Sequence, residues 1–365
     1  MKKTLFIMFF IVLQTISQAQ IPGTTFSGTP ADIIIDARSI ALGESLVANP
    51  VPINSFQSNP ANLSGAKEIS VFYNRRSLNW FSSEDVDMYY YSTGAVIPLS
   101  IGNFSVSYSK FVNSLNGSSP TNMVGEQYYS TIAISYSRPI AGNLSGGVSV
   151  KFLDFGVDIM SFDKRNLLVN ENSITPLFDL GIIYSISNPF IRNDSLIQDK
   201  IHFGLSVQNV GSKANFRQEF DGINLYSSEN PVIQYFRIGF SYNFNMLSSE
   251  HQNLFSITLS GEYKNQINPL EYERDAVDNF GVGLEAGIID VFYIRLGGIV
   301  RNGDPIFYKK GELRTNYGFG ISFPASLITE NLPLRIGFDY AVTSLEIGDA
   351  MPAFNLNLNY GLKLF

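Results

Sequence analysis

The chain has 365 residues with no cysteine, 16% charged residues, 29 phenylalanines and 19 tyrosines. Its formal charge is −7, and loss of a leader carrying Lys2 and Lys3 leaves 23 basic against 32 acidic residues, near −9. That balance argues against nucleic acid as a partner, and the missing cysteines exclude disulfides, thiolate metal sites and cysteine nucleophiles.

Residues 1–19 read as a secretory signal peptide. Lys2 and Lys3 form a positive start, Leu5 to Leu13 is wholly apolar, and Ser17-Gln18-Ala19 is a small-x-small cleavage site. That apolar run is too short to span a bilayer as a helix. Gln20 follows where a lipid anchor would need cysteine. No later window is apolar over eighteen residues, so no transmembrane helix is expected. An exported chain, poor in charge, rich in aromatics and without disulfides, has the composition of an outer-membrane barrel. A soluble β-sandwich stays open on composition alone.

Residues 20–66 differ from everything after them. Within Ala31–Gly65, Ile40, Leu42, Leu46 and Val47 fit one face of a two-turn helix behind Asp36, an N-cap type. Asn49-Pro50 and Asn59-Pro60 then bend the backbone, because a residue before proline is pushed out of the α region. Such a segment suits a plug inside a barrel, or a capping helix on a soluble β-domain.

From residue 67 to 365 the pattern has period two. Phe255 to Tyr263 alternates Phe, Ile, Leu, Gly and Tyr with Ser, Thr, Ser and Glu; Leu334 to Val342 alternates apolar residues with Arg335, Gly337, Asp339 and Ala341. Fourteen runs of this kind fall near 67–76, 87–98, 103–112, 127–138, 143–155, 174–186, 201–210, 232–244, 254–264, 277–288, 291–301, 314–323, 334–343 and 354–365. Many have the length a tilted strand needs to cross hydrocarbon. Connections alternate between long, such as Asn113–Glu126, Gly156–Ser173 and Gly211–Pro231, and tight, such as Pro139–Gly142 and Ile289–Asp290. Ser187–Lys200 breaks that rhythm. Long outer loops and short inner turns are the outer-membrane pattern. The expected fold is all-β: a 14-stranded antiparallel transmembrane barrel with an N-terminal plug, facing outer-membrane lipid.

If the apolar set faces lipid, the lumen face carries Lys151, Asp179, His202, Arg237, Glu285, Arg295, Arg335 and Asp339. Charges of both signs inside a barrel are costly unless paired or wet. They either line a solvated pore or hold the plug, whose Asp36, Arg38, Glu44 and Asn59 could pair across. Arg38 is expected beside Asp179, Glu285 or Asp339. Catalytic signals are thin. His202 and His251 are the two histidines, with no nucleophile or orienting group legible beside them, and no phosphate loop, metal-ligand pair or calcium loop is present. No catalytic residue, metal or cofactor is expected.

Asp36-Ala37-Arg38-Ser39, then Ala41-Leu42-Gly43 and Asn59-Pro60-Ala61-Asn62-Leu63, resemble the N-terminal region of the PorV/PorQ family. Phe178 to Tyr184, His202 to Gly211 and Arg237 to Tyr242 are similar to strands of that family in the same order. The resemblance implies a FadL-like fourteen-stranded barrel with a filled lumen. It further implies service in the type IX secretion system of Bacteroidota-type bacteria, nearer PorV than PorQ, with cargo C-terminal domains and attachment-complex components as partners. Phe216, Phe220, Tyr226, Phe307 and Tyr308 in the long loops would supply the partner-binding surface. The alternative is a FadL-like transporter of hydrophobic small molecules, which needs an apolar path through the lumen.

Overall fold

In the computed structural model the described residues are 34–50, 52–78, 86–116, 123–161, 166–169, 174–191, 196–220, 223–230, 232–248, 253–267, 278–302, 313–325, 332–344 and 351–361. The expected signal peptide, His251, Phe307 and Tyr308 lie outside them.

The alternating runs become strands β1 (Ile69–Ser77), β2 (Val86–Leu99), β3 (Gly102–Asn116), β4 (Met123–Ala141), β5 (Leu144–Ser161), β7 (Thr175–Ser187) and β8 (Ile197–Gly211). The wall continues with β11 (Tyr235–Leu247), β12 (Asn253–Gln266), β13 (Asp278–Ile288), β14 (Phe292–Asn302), β15 (Leu313–Pro324), β16 (Leu334–Thr343) and β17 (Met351–Tyr360). Each pairs antiparallel with its neighbours, and β1 pairs with β17 from Ile69↔Tyr360 to Arg76↔Ala353. That pairing closes a fourteen-stranded barrel and leaves the wall no open edge. No described helix is long and apolar enough to cross a membrane.

Period two sorts the side chains as the alternation predicts. On β13, Phe280, Val282 and Leu284 point outward and stay exposed, while Asn279 and Glu285 point inward and are buried. The same split on other strands coats the outer wall with exposed large apolar residues, among them Phe203, Phe240, Leu259, Ile294, Phe319 and Leu356. An outward apolar band around a polar interior is the membrane-barrel arrangement.

Three expectations change. The region Gly156–Ser173 is partly strand, because β5 runs on to Ser161 and β6 (Asn166–Val169) pairs back onto it. Gly211–Pro231 contains a separate hairpin, β9 (Ala214–Phe220) with β10 (Ile223–Asn230). The final strand starts earlier than expected, at Met351, and runs to Tyr360, while residues 362–365 of the expected run lie outside the described residues. Among the tight turns, Ile289 and Asp290 both have positive φ (57° and 52°), the two-residue hairpin geometry that follows strand twist. β-branched Ile289 is strained there. Surrounding bonds hold the turn: Ile289 N donates to Leu254 O at 3.0 Å, and Asn253 Nδ2 donates to Asp290 Oδ1 at 2.9 Å.

Candidate functional site

The N-terminal segment from Ile34 to Ala66 lies against lumen-facing side chains, and most of it is buried. It begins with a single short helix, α1 (Ala37–Ala41), shorter than the two turns expected. Asp36 caps α1 by accepting from Ser39 N at 2.9 Å and Arg38 N at 3.3 Å, and it also accepts from Asn355 Nδ2 of β17 at 3.1 Å. The helix ends where Gly43 (φ 64°) and Glu44 (φ 62°) turn left-handed. A Cβ on Gly43 would overlap the backbone of Val282 and Gly298, so only glycine fits against this wall.

The faces of α1 use different chemistry. Ile34, Ala37, Ile40 and Ala41 pack on Ala341 and Ala353 of β16 and β17, where small side chains admit the helix. Arg38 reaches Glu285 on β13 with two parallel contacts, Nε–Oε2 and Nη2–Oε1, each 2.8 Å. Glu285 also accepts from Arg295 Nε on β14, and Arg295 Nη1 donates to Asp339 Oδ1 on β16 at 2.6 Å. Two guanidiniums thus face two carboxylates, all nearly buried, with bidentate geometry at the segment's own arginine.

Further along, Glu262 on β12 takes the backbone N–H groups of Leu46 and Val47 on one oxygen, both at 2.8 Å. Its other oxygen accepts from Arg237 Nη1 at 2.8 Å. Ser241 Oγ donates to Ala48 O at 2.8 Å, and Ser45 Oγ lies 2.7 Å from Ser260 Oγ. A short helix α2 (Pro52–Ser55) leads to a 3₁₀ helix, Pro60–Gly65. Asn59 caps the latter by accepting from Ala61 N at 3.0 Å, and donates to Val47 O at 2.7 Å and Ile182 O at 3.1 Å. Pro60 at the first position needs no N–H partner. The 3₁₀ helix and the residue after it meet β3 and β4 through Asn103 Nδ2, which donates to Leu63 O (2.6 Å) and Ala66 O (3.1 Å), and Ser137 Oγ, which donates to Ala61 O (3.3 Å), and Gly147 of β5 lies directly against Pro60 and Ala61.

Of the eight lumen charges expected to hold this segment, Glu285, Arg295, Asp339 and Arg237 gather around it. The other four have different tasks. Lys151 Nζ contacts Asp179 Oδ2 (2.6 Å) and Asn209 Oδ1 (3.1 Å), while Asp179 Oδ1 accepts from Asn209 N (2.8 Å). Together they fasten a bulge where β8 carries an extra residue opposite β7 and Asn209 adopts φ 59°. His202 Nδ1 lies 2.7 Å from Ser185 Oγ on the neighbouring strand. Arg335 sits at the short-turn rim, donating to Asp290 O (2.8 Å) and Ser322 Oγ (3.3 Å). Sequence reasoning missed Glu262, and also Arg76, Asn103, Ser137, Ser241 and Asn355, as ligands of the segment. Among the long-loop aromatics, Phe216, Phe220 and Tyr226 fall on the strands of the β9–β10 hairpin.

Between the segment and the β2–β5 wall a cavity of about 60 Å³ remains, bounded by Ile35, Tyr90, Ser107, Thr131, Lys151 and Arg237. That is room for a few waters. Towards the long-loop end the lumen turns apolar. Tyr90 stacks edge-on with Phe111 (centroids 6.4 Å apart) and Phe111 meets Tyr129 at 6.0 Å. Ile35, Leu78 and Met351 join Tyr90 in one buried cluster, against which Met88 and Phe111 pack.

No protein-family model matches the chain, and no curated protein matches it. Solved structures do. A Pseudomonas aeruginosa FadL homologue superposes with TM-score 0.52 at 12% identity, covering 93% of this chain and 99% of that one. The TodX monoaromatic hydrocarbon channel, as a deltaS2 mutant, gives 0.51 at 12% over 89% of this chain and 97% of that one. The Pseudomonas putida toluene transporter TodX gives 0.49 at 11%, over 94% and 100%. The chain therefore has the fold of the FadL-like fourteen-stranded outer-membrane barrels.

Proposed function

We propose that this chain is an outer-membrane barrel in which residues 34–66 act as a plug, and that it passes hydrophobic small molecules across that membrane. One observation carries this reading. The lumen face towards the long-loop end bears Tyr90, Phe111, Tyr129 and Leu78 directly beside the cavity at the plug. From sequence the lumen set is mainly Gly, Ser and charges, which mildly favours the shuttle; the apolar stretch supports the greasy path that a transporter needs. The name of the monoaromatic hydrocarbon channel agrees with it, while at 12% identity that likeness speaks for the fold alone. The test is toluene uptake by vesicles with a lipopolysaccharide outer leaflet. The full chain should speed uptake over protein-free vesicles, and Phe111→Asp should abolish the gain. Equal uptake with and without the protein overturns the reading.

A second reading keeps the PorV/PorQ resemblance: a shuttle that binds C-terminal domains of secreted cargo at the long-loop end. The hairpin β9–β10, carrying Phe216, Phe220 and Tyr226, is the surface it would use. The motif residues behind that resemblance do not separate the two readings. Asp36, Arg38, Gly43, Asn59, Pro60 and Ala61 are all engaged in capping or seating the N-terminal segment. Deleting Ala214–Asn230 should stop cargo secretion under the shuttle reading and leave toluene uptake intact under ours. We propose no catalytic role.

A further inference from the structure

The outer wall carries a patch that lipid-facing alternation does not account for. On β1, β2 and β3 the outward residues of one level are Arg75, Tyr91 and Lys110, successive partners in the strand register. Each cation lies over a tyrosine ring: Arg75 over Tyr89, 4.6 Å from the ring centre, and Lys110 over Tyr128 at 4.5 Å. Between them Tyr91 stacks on Tyr89 at 6.2 Å and on Tyr73 at 6.5 Å. The rings therefore hold two long, flexible side chains in place on an otherwise apolar surface. Arg75 is exposed and forms no ion pair among the described residues. A further outward cation of the described wall, Arg138, sits at the short-turn end. One carboxylate shares the level of the patch: Asp154 of β5, which lies beyond Lys110 across Ser130, on the side away from Arg75.

The level matters. From the short turn at Leu99 up to Tyr91, a strand tilted by ~45° rises about 20 Å. That places the patch near the long-loop edge of an apolar band ~25 Å tall. Below it the wall is apolar, with Val106, Ile132 and Ile134 exposed. Cations facing lipid are retained where an anion meets them, and at this edge the anions available are lipid head groups.

We infer that this patch binds a phosphorylated glycolipid of the outer leaflet. Its phosphate groups meet Arg75 and Lys110, which stand two strands and hence about 10 Å apart. A guanidinium takes phosphate oxygens in pairs, so Arg75 is the stronger contact. The sugar lies on the face of Tyr91, and the acyl chains run down past Val106 and Ile132. A phospholipid head group would supply phosphate but no ring to cover Tyr91, and for that reason we commit to the glycolipid. The inference rests on the placement of the chain in an outer membrane and not on what its lumen passes.

The experiment uses the full chain purified in detergent, with diphosphoryl lipid A as the probe and native mass spectrometry counting bound lipid. One lipid A should remain on each barrel. Replacing both cations, Arg75→Gln with Lys110→Gln, should weaken retention by about tenfold or more for each charge removed. Arg138→Gln, far from the patch, should change nothing. Dephosphorylated lipid A should bind the unmodified chain no better than the double variant. Tyr91→Leu should weaken lipid A and leave the weaker binding of phosphatidylglycerol as it was. If the double variant loses its heat-modifiable migration, Arg75→Leu alone replaces it, since leucine suits a lipid-facing wall. Full retention of lipid A in a folded variant, an equal loss in Arg138→Gln, or phosphatidylglycerol held as tightly as lipid A overturns the inference. Toluene uptake separates the two proposals: the double variant should match the unmodified chain there, and uptake at the protein-free rate with lipid A still bound removes the transport reading alone.

Discussion

Replacing Glu285 with glutamine removes one negative charge from a buried cluster that is balanced with it. Glu285 accepts both bonds from Arg38, at 2.8 Å each, and one from Arg295, leaving Asp339 as the second carboxylate. The amide keeps the shape, so two guanidiniums are left to share Asp339. Breaking a buried pair by removing one partner costs about 3–5 kcal/mol, mostly through the charge left behind. At roughly 1.4 kcal/mol per factor of ten, that loosens the seating of α1 by two to nearly four powers of ten. Native-state hydrogen exchange reads it directly at Leu42 and Gly43, whose N–H groups close the end of α1, and at Leu46 and Val47. Those amides should exchange faster by that factor while β13 and β14 stay protected. The double variant Arg38→Met, Glu285→Met leaves Arg295 and Asp339 as a matched pair and should exchange nearly as slowly as the unmodified chain. Unchanged exchange in Glu285→Gln, or a double variant as loose as the single one, would refute the argument from unpaired charge.

Three smaller tests address the remaining parts. Glu262→Gln weakens charge-assisted bonds, each worth about 1.5–3 kcal/mol, to neutral ones, so exchange at Leu46 and Val47 should rise while α1 stays closed. Lys151→Met leaves Asp179 buried beside Asn209 without its cation and should lower barrel stability by about 3–5 kcal/mol in denaturant-driven release from vesicles. Lys151→Met combined with Asp179→Asn should recover most of that loss. Phe240→Arg sits midway along β11 on the apolar outer wall and should cost about 2–4 kcal/mol in the same assay; an unshifted midpoint would mean that this face does not meet lipid.

The wall was legible in the sequence because period two is a local signal, and closing a barrel makes every strand obey it. Depth along the barrel was not legible. Arg335 and Arg295 share a phase, yet one braces a short turn at the rim and the other lies in the central cluster. Only the pairing register separates them. Glu262 was visible as a polar member of its strand, but its partners are backbone N–H groups of Leu46 and Val47, which carry no side-chain signature. The overlong helix has a related cause. Leu42 and Val47 continue the apolar rhythm, while the left-handed pair Gly43-Glu44, set by the wall at Val282 and Gly298, ends the helix. The β9–β10 hairpin did have a signal in the sequence: Asp221-Gly222 between two strand-like runs is a hairpin pair.

The charge cluster around α1 follows from what strand alternation leaves on the inner face. The outward faces are apolar, so the lumen is left with Ser, Gly, Asn and charged residues around the segment. An apolar plug on such a wall would bury its polar groups without partners, at a cost of about 1–3 kcal/mol each. A buried ion cluster avoids that cost. Net stabilisation by such a cluster is modest while the penalty for a mismatched charge is large. The result is strict seating of the segment. Apolar contact adds to the seating at two places: α1 on Ala341 and Ala353, and Phe56 with Leu63 of the 3₁₀ helix against Phe72 and Val96, the Phe56 and Phe72 rings 6.0 Å apart.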